Sequence, residues 1–208
     1  MSDLKGLWNW TTCKETINRL SGKLGFQKLE YIEFLGLKLD QQNGDIYDLL
    51  SNTLIDDHDI QSKHLIKSIY YLLFGYSKAK KIKITDDLIT FKQIRGNRFV
   101  NRGKGAKERL IREFSKKPRK LILSAEKLGG KQIDFPYGDV KISLKALPLI
   151  PLTIVLYASD QEFPGDAWIF YDASIKDVFD AEQTNFITHL TISRLITANK
   201  QINNKHFS

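Results

Sequence analysis

The chain has 208 residues, of which 42% are hydrophobic and 27% charged, and this balance predicts one globular core rather than an extended disordered chain. Its single cysteine, Cys13, excludes an internal disulfide, a CxxC redox pair and a zinc or iron-sulfur site built from several cysteines of this chain alone. No segment approaches the roughly 20 apolar residues that cross a bilayer, and the N-terminus lacks a secretory signal, so we expect a cytoplasmic protein without a membrane partner.

The first third of the chain predicts a helix followed by a small antiparallel unit. Thr12-Cys13-Lys14-Glu15 has the form of a capping box, which predicts a helix that ends near Leu20. Alternation in residues 29–39 predicts a strand, and residues 45–49 predict a second one. Because Asn43-Gly44 tolerates the positive φ angles of a type I′ turn, we expect a hairpin or a short meander there.

The middle of the chain is predicted to be mainly helical. Apolar residues recur at three- and four-residue spacing from Asp59 to Phe74, and Gly75 is placed to stop that helix. A strand at Leu88 to Ile94 and a basic helix at Lys104 to Phe114 follow. Pro118 then starts another helix, which ends at Gly129-Gly130.

From Lys131 onward the apolar residues follow a period of two, which indicates strands, before a final helix from about Ala181 to Ala198. The order of the elements predicts an α+β fold with a mostly antiparallel sheet, packed helices and a single domain over residues 1–208. Its possible parts are a helix and hairpin unit at 1–76, a basic helical segment at 78–128, and a sheet with its helix at 131–200.

A series of short motifs resembles domain-of-unknown-function family 3786. The motifs are Leu147-Pro148, Pro151-Leu152, Asp160-Gln161-Glu162-Phe163-Pro164, Ile169-Phe170-Tyr171-Asp172, Phe34-Leu35-Gly36, Tyr71-Leu72-Leu73, Phe91 to Gly96 and Leu128-Gly129-Gly130. The resemblance implies a protein of anaerobic microbes, linked to corrinoid or other metallocofactor metabolism. This chain departs from the family pattern at Gln161, where a carboxylate is usual, and at Tyr157, where a tryptophan is usual.

Six residues around the Phe163-Pro164-Gly165 turn form the first candidate site. Four carboxylates lie within thirteen residues of the sequence and could converge at one end of the sheet beside two aromatic rings. The predicted ligand-binding residues are Asp160, Glu162, Phe163, Asp166, Trp168 and Asp172. Hard cations prefer such an oxygen-rich setting, paired carboxylates act as acid and base, and acidic side chains also cap turn amides, so these alternatives stay open.

A basic segment forms the second candidate site. Residues 78–120 contain sixteen Lys or Arg against four Asp or Glu, a local net charge of +12 within a chain of net charge +8. The predicted anion-binding residues are Arg95, Arg98, Arg102, Lys104, Lys107 and Arg109. The glycine spacing is not that of a phosphate-binding Walker loop, so the segment indicates either a solvated surface or contact with nucleic acid or an acidic protein.

These observations favour a non-catalytic accessory module that binds a small ligand or a metallocofactor of unknown identity. The sequence contains neither G-x-S-x-G nor H-E-x-x-H, and we assign no catalytic residue. The first alternative is binding of nucleic acid or another polyanion through residues 95–120. The second is a metal-dependent enzyme that uses the carboxylates of residues 160–172.

Overall fold

A computed structural model describes residues 7–95 and 104–204, which form two antiparallel sheets and six α-helices. The helices are α1 Trp10–Asn18, α2 Ile60–Ser77, α3 Phe91–Arg95, α4 Lys104–Phe114, α5 Arg119–Lys127 and α6 Ala181–Asn204. The strands are β1 Tyr31–Phe34, β2 Leu37–Asp40, β3 Ile46–Asp48, β4 Thr53–Leu54, β5 Leu88–Thr90, β6 Lys131–Gln132, β7 Val140–Leu147, β8 Ile150–Tyr157 and β9 Asp166–Asp172. A 3-10 helix, Ala173–Asp177, follows β9. The predicted α+β fold with a single domain is confirmed.

The first sheet is a four-stranded meander in the order β1-β2-β3-β4. Its tight turn is Leu35-Gly36, whose φ angles of 49° and 68° are the pair that a type I′ turn requires. The prediction of that turn at Asn43-Gly44 is wrong, because only Gly44 has a positive φ there. The strand predicted over residues 29–39 is therefore two strands.

Two predicted helix boundaries are also wrong. Helix α1 begins after Asn9, whose side-chain oxygen accepts a hydrogen bond of 2.9 Å from the amide of Thr12, so Thr12 is not the cap. Helix α2 starts as predicted, with Asp59 as its cap, but continues past Gly75. A Cβ atom at Gly75 would meet the end of the flexible Gln183 side chain of α6, so this glycine lies inside α2 beside α6 and does not end the helix.

The second sheet has the order β5-β9-β8-β7-β6, with every neighbouring pair antiparallel. Its inner face supplies buried residues such as Ile142, Leu152 and Ile154 to the core, beneath α5 and α6. The strand predicted from Leu88 ends at Thr90, because the side chain of Gln93 accepts from the Thr90 amide and α3 begins there.

The remaining predicted elements are confirmed with small changes. Helix α4 has its predicted ends, and α5 follows Pro118 and stops before Gly129, whose φ is 79°. Helix α6 is longer than predicted. Among the described residues, none of the helices combines the length and the apolar composition that crossing a membrane requires.

Candidate binding face of the five-stranded sheet

The outer face of the five-stranded sheet, which is the face turned away from the helices, carries two rings of β9. Side chains alternate along a strand, so Ala167 and Tyr171 are buried on the inner face while Trp168 and Phe170 point outward. The two outward rings are nearly parallel, with centroids 6.2 Å apart and an interplanar angle of 17°. Trp168 remains 47% exposed.

The connection between β6 and β7 folds across the same face and adds two more rings. Gly138, with a φ of 78°, lies so close to Val155 of β8 that a Cβ atom would sit 2.3 Å from its Cγ1. In the same connection, the ring of Phe135 lies 5.6 Å from the ring of Phe170 and 6.0 Å from the ring of Tyr137, measured between ring centroids. We call the four contacting rings, Trp168, Phe170, Phe135 and Tyr137, the aromatic row.

Lys107 of α4 joins the two candidate sites that the sequence indicated separately. Its Nζ lies 2.7 Å from Oδ1 of Asp166 and 5.2 Å from the ring centroid of Trp168. Helix α4 packs beside β9, which brings this lysine to the sheet. One predicted anion-binding residue therefore meets two predicted ligand-binding residues at one end of the aromatic row.

The loop before β9 is closed by its own acidic residue. Oδ1 of Asp160 accepts hydrogen bonds from the amides of Phe163, at 2.7 Å, and Glu162, at 2.9 Å. These two amides hold the pKa of Asp160 below its ordinary value, with the Phe163 amide as the larger cause. The turn leaves the ring of Phe163 66% exposed and the side chain of Glu162 exposed as well.

Asp172 lies apart from the other carboxylates, so the predicted convergence of several carboxylates at one end of the sheet does not include it. It lies at the opposite end of β9 from Asp166, about 20 Å away at the usual rise per strand residue. Asp172 is buried and accepts from the amides of Thr85, Asp86 and Ser174. Burial alone would raise its pKa, but the hydrogen bonds from Ser174, Thr85 and Asp86 outweigh burial and lower it.

The other predicted anion-binding residues are distributed along the basic segment. Arg95 ends α3 and Lys104 begins α4, whereas Arg98 and Arg102 lie outside the described residues. Lys107 and Arg109 are two positions apart in α4, so their side chains point to nearly opposite sides of the helix. They do not hold one anion together. Within residues 7–95 and 104–204, no group of three or more His, Cys, Asp or Glu side chains is arranged to hold a metal ion.

A family model described as Domain of unknown function (DUF3786) matches residues 29–194, which is most of the chain. The chain belongs to this family. The membership confirms the resemblance drawn from the short motifs. No curated protein and no solved structure matches the chain. The region matched by the DUF3786 model includes both sheets and the whole aromatic row.

Sequence reasoning missed three of the four rings in this DUF3786 chain. Phe135 and Tyr137 are two positions apart in the sequence, as are Trp168 and Phe170. This alternate spacing of aromatic residues was the signal that the sequence offered. The signal shows that each pair shares a face. It does not show that the two pairs meet, because their contact depends on how Gly138 packs on Val155.

A buried ion pair of the DUF3786 chain, which the sequence did not indicate, lies beside a cleft in the structure. Arg194 of α6 donates to both carboxylate oxygens of Asp48, and to the carbonyls of Leu35 and Gly36. It borders an open cleft of about 460 Å³ between β4, α2 and α6, together with Asp56 and Ser193 among others. Since the guanidinium is engaged by the first hairpin, its evident role is to hold the meander against α6.

Proposed function

We propose that this chain is a non-catalytic binding module that recognises its ligand through the aromatic row. The observation that carries the proposal is the exposure of the two terminal rings, 47% for Trp168 and 62% for Tyr137, on an open sheet face. The half-buried rings of Phe170 and Phe135 join the two exposed rings into one aromatic surface, and connected apolar surface of this kind often marks a binding site. A flat ligand that covers Trp168 removes apolar area from water and gains a stacking contact worth about 0.5–1.5 kcal/mol.

The state of the carboxylates favours binding over acid–base chemistry. Asp160 is bonded to two loop amides and Asp166 to Lys107, while Asp172 is enclosed at the far end of the strand. A catalytic pair needs one carboxyl group whose pKa is raised and another that stays ionised. The pKa values of Asp160 and Asp172 are instead both lowered, so both remain ionised near neutral pH. This argues against an acid–base pair formed by these two residues.

Nuclear magnetic resonance of the indole N–H groups tests the proposal. The chain has three tryptophans, and Trp168→Phe identifies which of the three cross-peaks belongs to Trp168. The protein would be titrated separately with three probes: a uridine decamer, cellohexaose and hydroxocobalamin. We expect the chemical shift of the Trp168 cross-peak to change with the probe that resembles the ligand. The last probe represents the metallocofactor class that the family resemblance implies.

Trp8 and Trp10 provide an internal control in the same spectrum. Both pack around α1 and α2, where their rings contact Tyr71, Phe74 and Tyr70, on elements other than the five-stranded sheet. A ligand on the aromatic row leaves their cross-peaks in place. The proposal fails if no probe moves the Trp168 peak, or if binding moves only the peaks of Trp8 and Trp10.

A further inference from the structure

We infer that the ligand of the aromatic row is single-stranded nucleic acid, an inference that depends on the proposed binding role of this face. Proteins that bind single strands combine rings on which successive bases stack with cations that contact the phosphates. The outer face of the five-stranded sheet presents both features. An extended chain of bases can reach the exposed rings of Trp168 and Tyr137 at the two ends of the aromatic row.

The rings form a continuous path across the sheet. Successive centroids from Trp168 through Phe170 and Phe135 to Tyr137 are 6.2, 5.6 and 6.0 Å apart. The path runs from β9 over β8 to the connection that precedes β7, and both of its end rings are exposed. Exposed rings on a sheet surface are the means by which several small RNA-binding domains stack two or three bases.

Lysine side chains lie on the same face of the sheet, near both ends of this path. In β7, Lys141 is opposite Val155 and Lys145 is opposite Pro151, at positions that alternate with buried Ile142 and Leu144. Lys131 of β6 is opposite Ser143 and shares that face. At the other end, Lys107 lies over Trp168. A strand whose bases cover the rings can therefore place phosphates near β7 and near α4.

The lysines are concentrated on β6 and β7, whereas the carboxylates lie on β9 and in the adjoining loops. The strand positions of the outer face and Lys107 together carry four lysines against Asp166 and Asp172, a net of +2, and Asp172 is buried. The adjoining loops add Asp134, Asp139, Asp160 and Glu162, so the face and its loops together carry six carboxylates against four lysines, and the expected phosphate contacts are those of the individual lysines. The segment of net charge +12 also borders this face, since it includes β5 and α4.

Fluorescence anisotropy with labelled decamers of uridine and thymidine tests the inference on the intact protein. Lys141→Glu with Lys145→Glu is expected to weaken binding about tenfold or more, because two phosphate contacts become repulsions. Lys23→Glu with Lys28→Glu is the matched control on the exposed loop after α1. Each Lys→Glu change removes two units of charge, so both double variants lower the net charge from +8 to +4. The control is expected to weaken binding less than about threefold.

The rings and the salt dependence give two further readouts. Trp168→Ala is expected to weaken binding about tenfold, the usual cost of losing one stacked base, while the melting temperature stays near that of the parent protein. The affinity is expected to fall with salt at a logarithmic slope of about −2, as phosphate contacts with the three strand lysines, Lys131, Lys141 and Lys145, predict for a single strand. A ten-base-pair duplex, whose bases are already stacked, is expected to bind more weakly than either decamer.

Several results would overturn the inference. Equal weakening of binding in both double variants would mean that the protein attracts nucleic acid by charge alone. The same conclusion would follow if the duplex bound as tightly as the decamers and Trp168→Ala had no effect on its binding. Loss of binding in Arg112→Glu with Lys116→Glu, but not in the β7 variant, would move the site to the exposed surface of α4. If cellohexaose or hydroxocobalamin moves the Trp168 cross-peak and the decamers do not, the ligand class is wrong while the proposed binding face stands.

Discussion

Replacement of Arg194 with alanine is expected to lower the free energy of unfolding by about 3–5 kcal/mol, the usual cost of removing one partner from a buried ion pair. Arg194 is 4% exposed in the structure, and its guanidinium donates two hydrogen bonds to Asp48. Without it, the Leu35 carbonyl loses its Arg194 donor, while the Asp48 carboxylate keeps the Leu50 amide and the Gly36 carbonyl keeps the Leu49 amide. The tight turn would then lose its hydrogen bonds to Arg194 of α6.

Urea unfolding followed by circular dichroism measures this effect. Arg112→Ala is the matched control, because Arg112 is exposed on α4 and its loss is expected to cost less than about 0.5 kcal/mol. Arg194→Met combined with Asp48→Asn is expected to be more stable than Arg194→Ala, since no unpaired buried charge remains. A loss below about 1 kcal/mol in Arg194→Ala would show that the pair does not hold the meander in place.

Replacement of Asp172 with asparagine is expected to cost about 2–4 kcal/mol at neutral pH, because several charge-assisted hydrogen bonds to its carboxylate are lost. The carboxylate accepts from the amides of Thr85, Asp86 and Ser174 and from the Thr85 hydroxyl. An asparagine presents one NH2 group to these donors. The turn at Thr85-Asp86, where Asp86 has a φ of 63°, leads into β5, so we expect the edge of the sheet to loosen.

The pH dependence of that loss has a defined sign. The pKa of Asp172 is lower in the folded protein than its unfolded value of about 3.9, so its contribution to stability is fully present above that pH. The contribution disappears as the pH falls through the lowered pKa. The difference between the parent protein and Asp172→Asn is therefore expected to narrow below about pH 4. Asp177→Asn, an exposed change in the adjoining 3-10 helix, is the control, and a difference that stays constant with pH would contradict the assignment.

The elements that the sequence predicts well are those whose limits are local. Helix α5 lies between Pro118 and Gly129, which act on their own neighbours. The type I′ turn was misplaced because Asn43-Gly44 has the more typical composition for it, whereas Leu35-Gly36 takes that conformation with carbonyls bound by a side chain 159 residues away. Gly75 was misinterpreted for the same reason, since its neighbour Gln183 comes from a distant helix.

In the candidate site, too, the individual residues could be predicted from the sequence, whereas the contacts between distant elements could not. Trp168, Asp166 and Lys107 were each predicted as site residues, because an aromatic and charged sequence between apolar strands is visible without a fold. Their meeting was not predicted, since it depends on α4 packing beside β9. The carboxylates of Asp160 and Asp172 appeared as a cluster only because sequence distance hides the length of a seven-residue strand.

Photochemical crosslinking tests most directly whether the aromatic row is the recognition surface. A uridine decamer that contains 4-thiouridine would be irradiated on the intact protein, and the adducts located by mass spectrometry of tryptic peptides. We predict adducts on the peptide of β9 with Trp168 and Phe170, and on the peptide with Phe135 and Tyr137. Adducts confined to residues 95–120, or to the peptide with Trp8 and Trp10, would contradict recognition by this face.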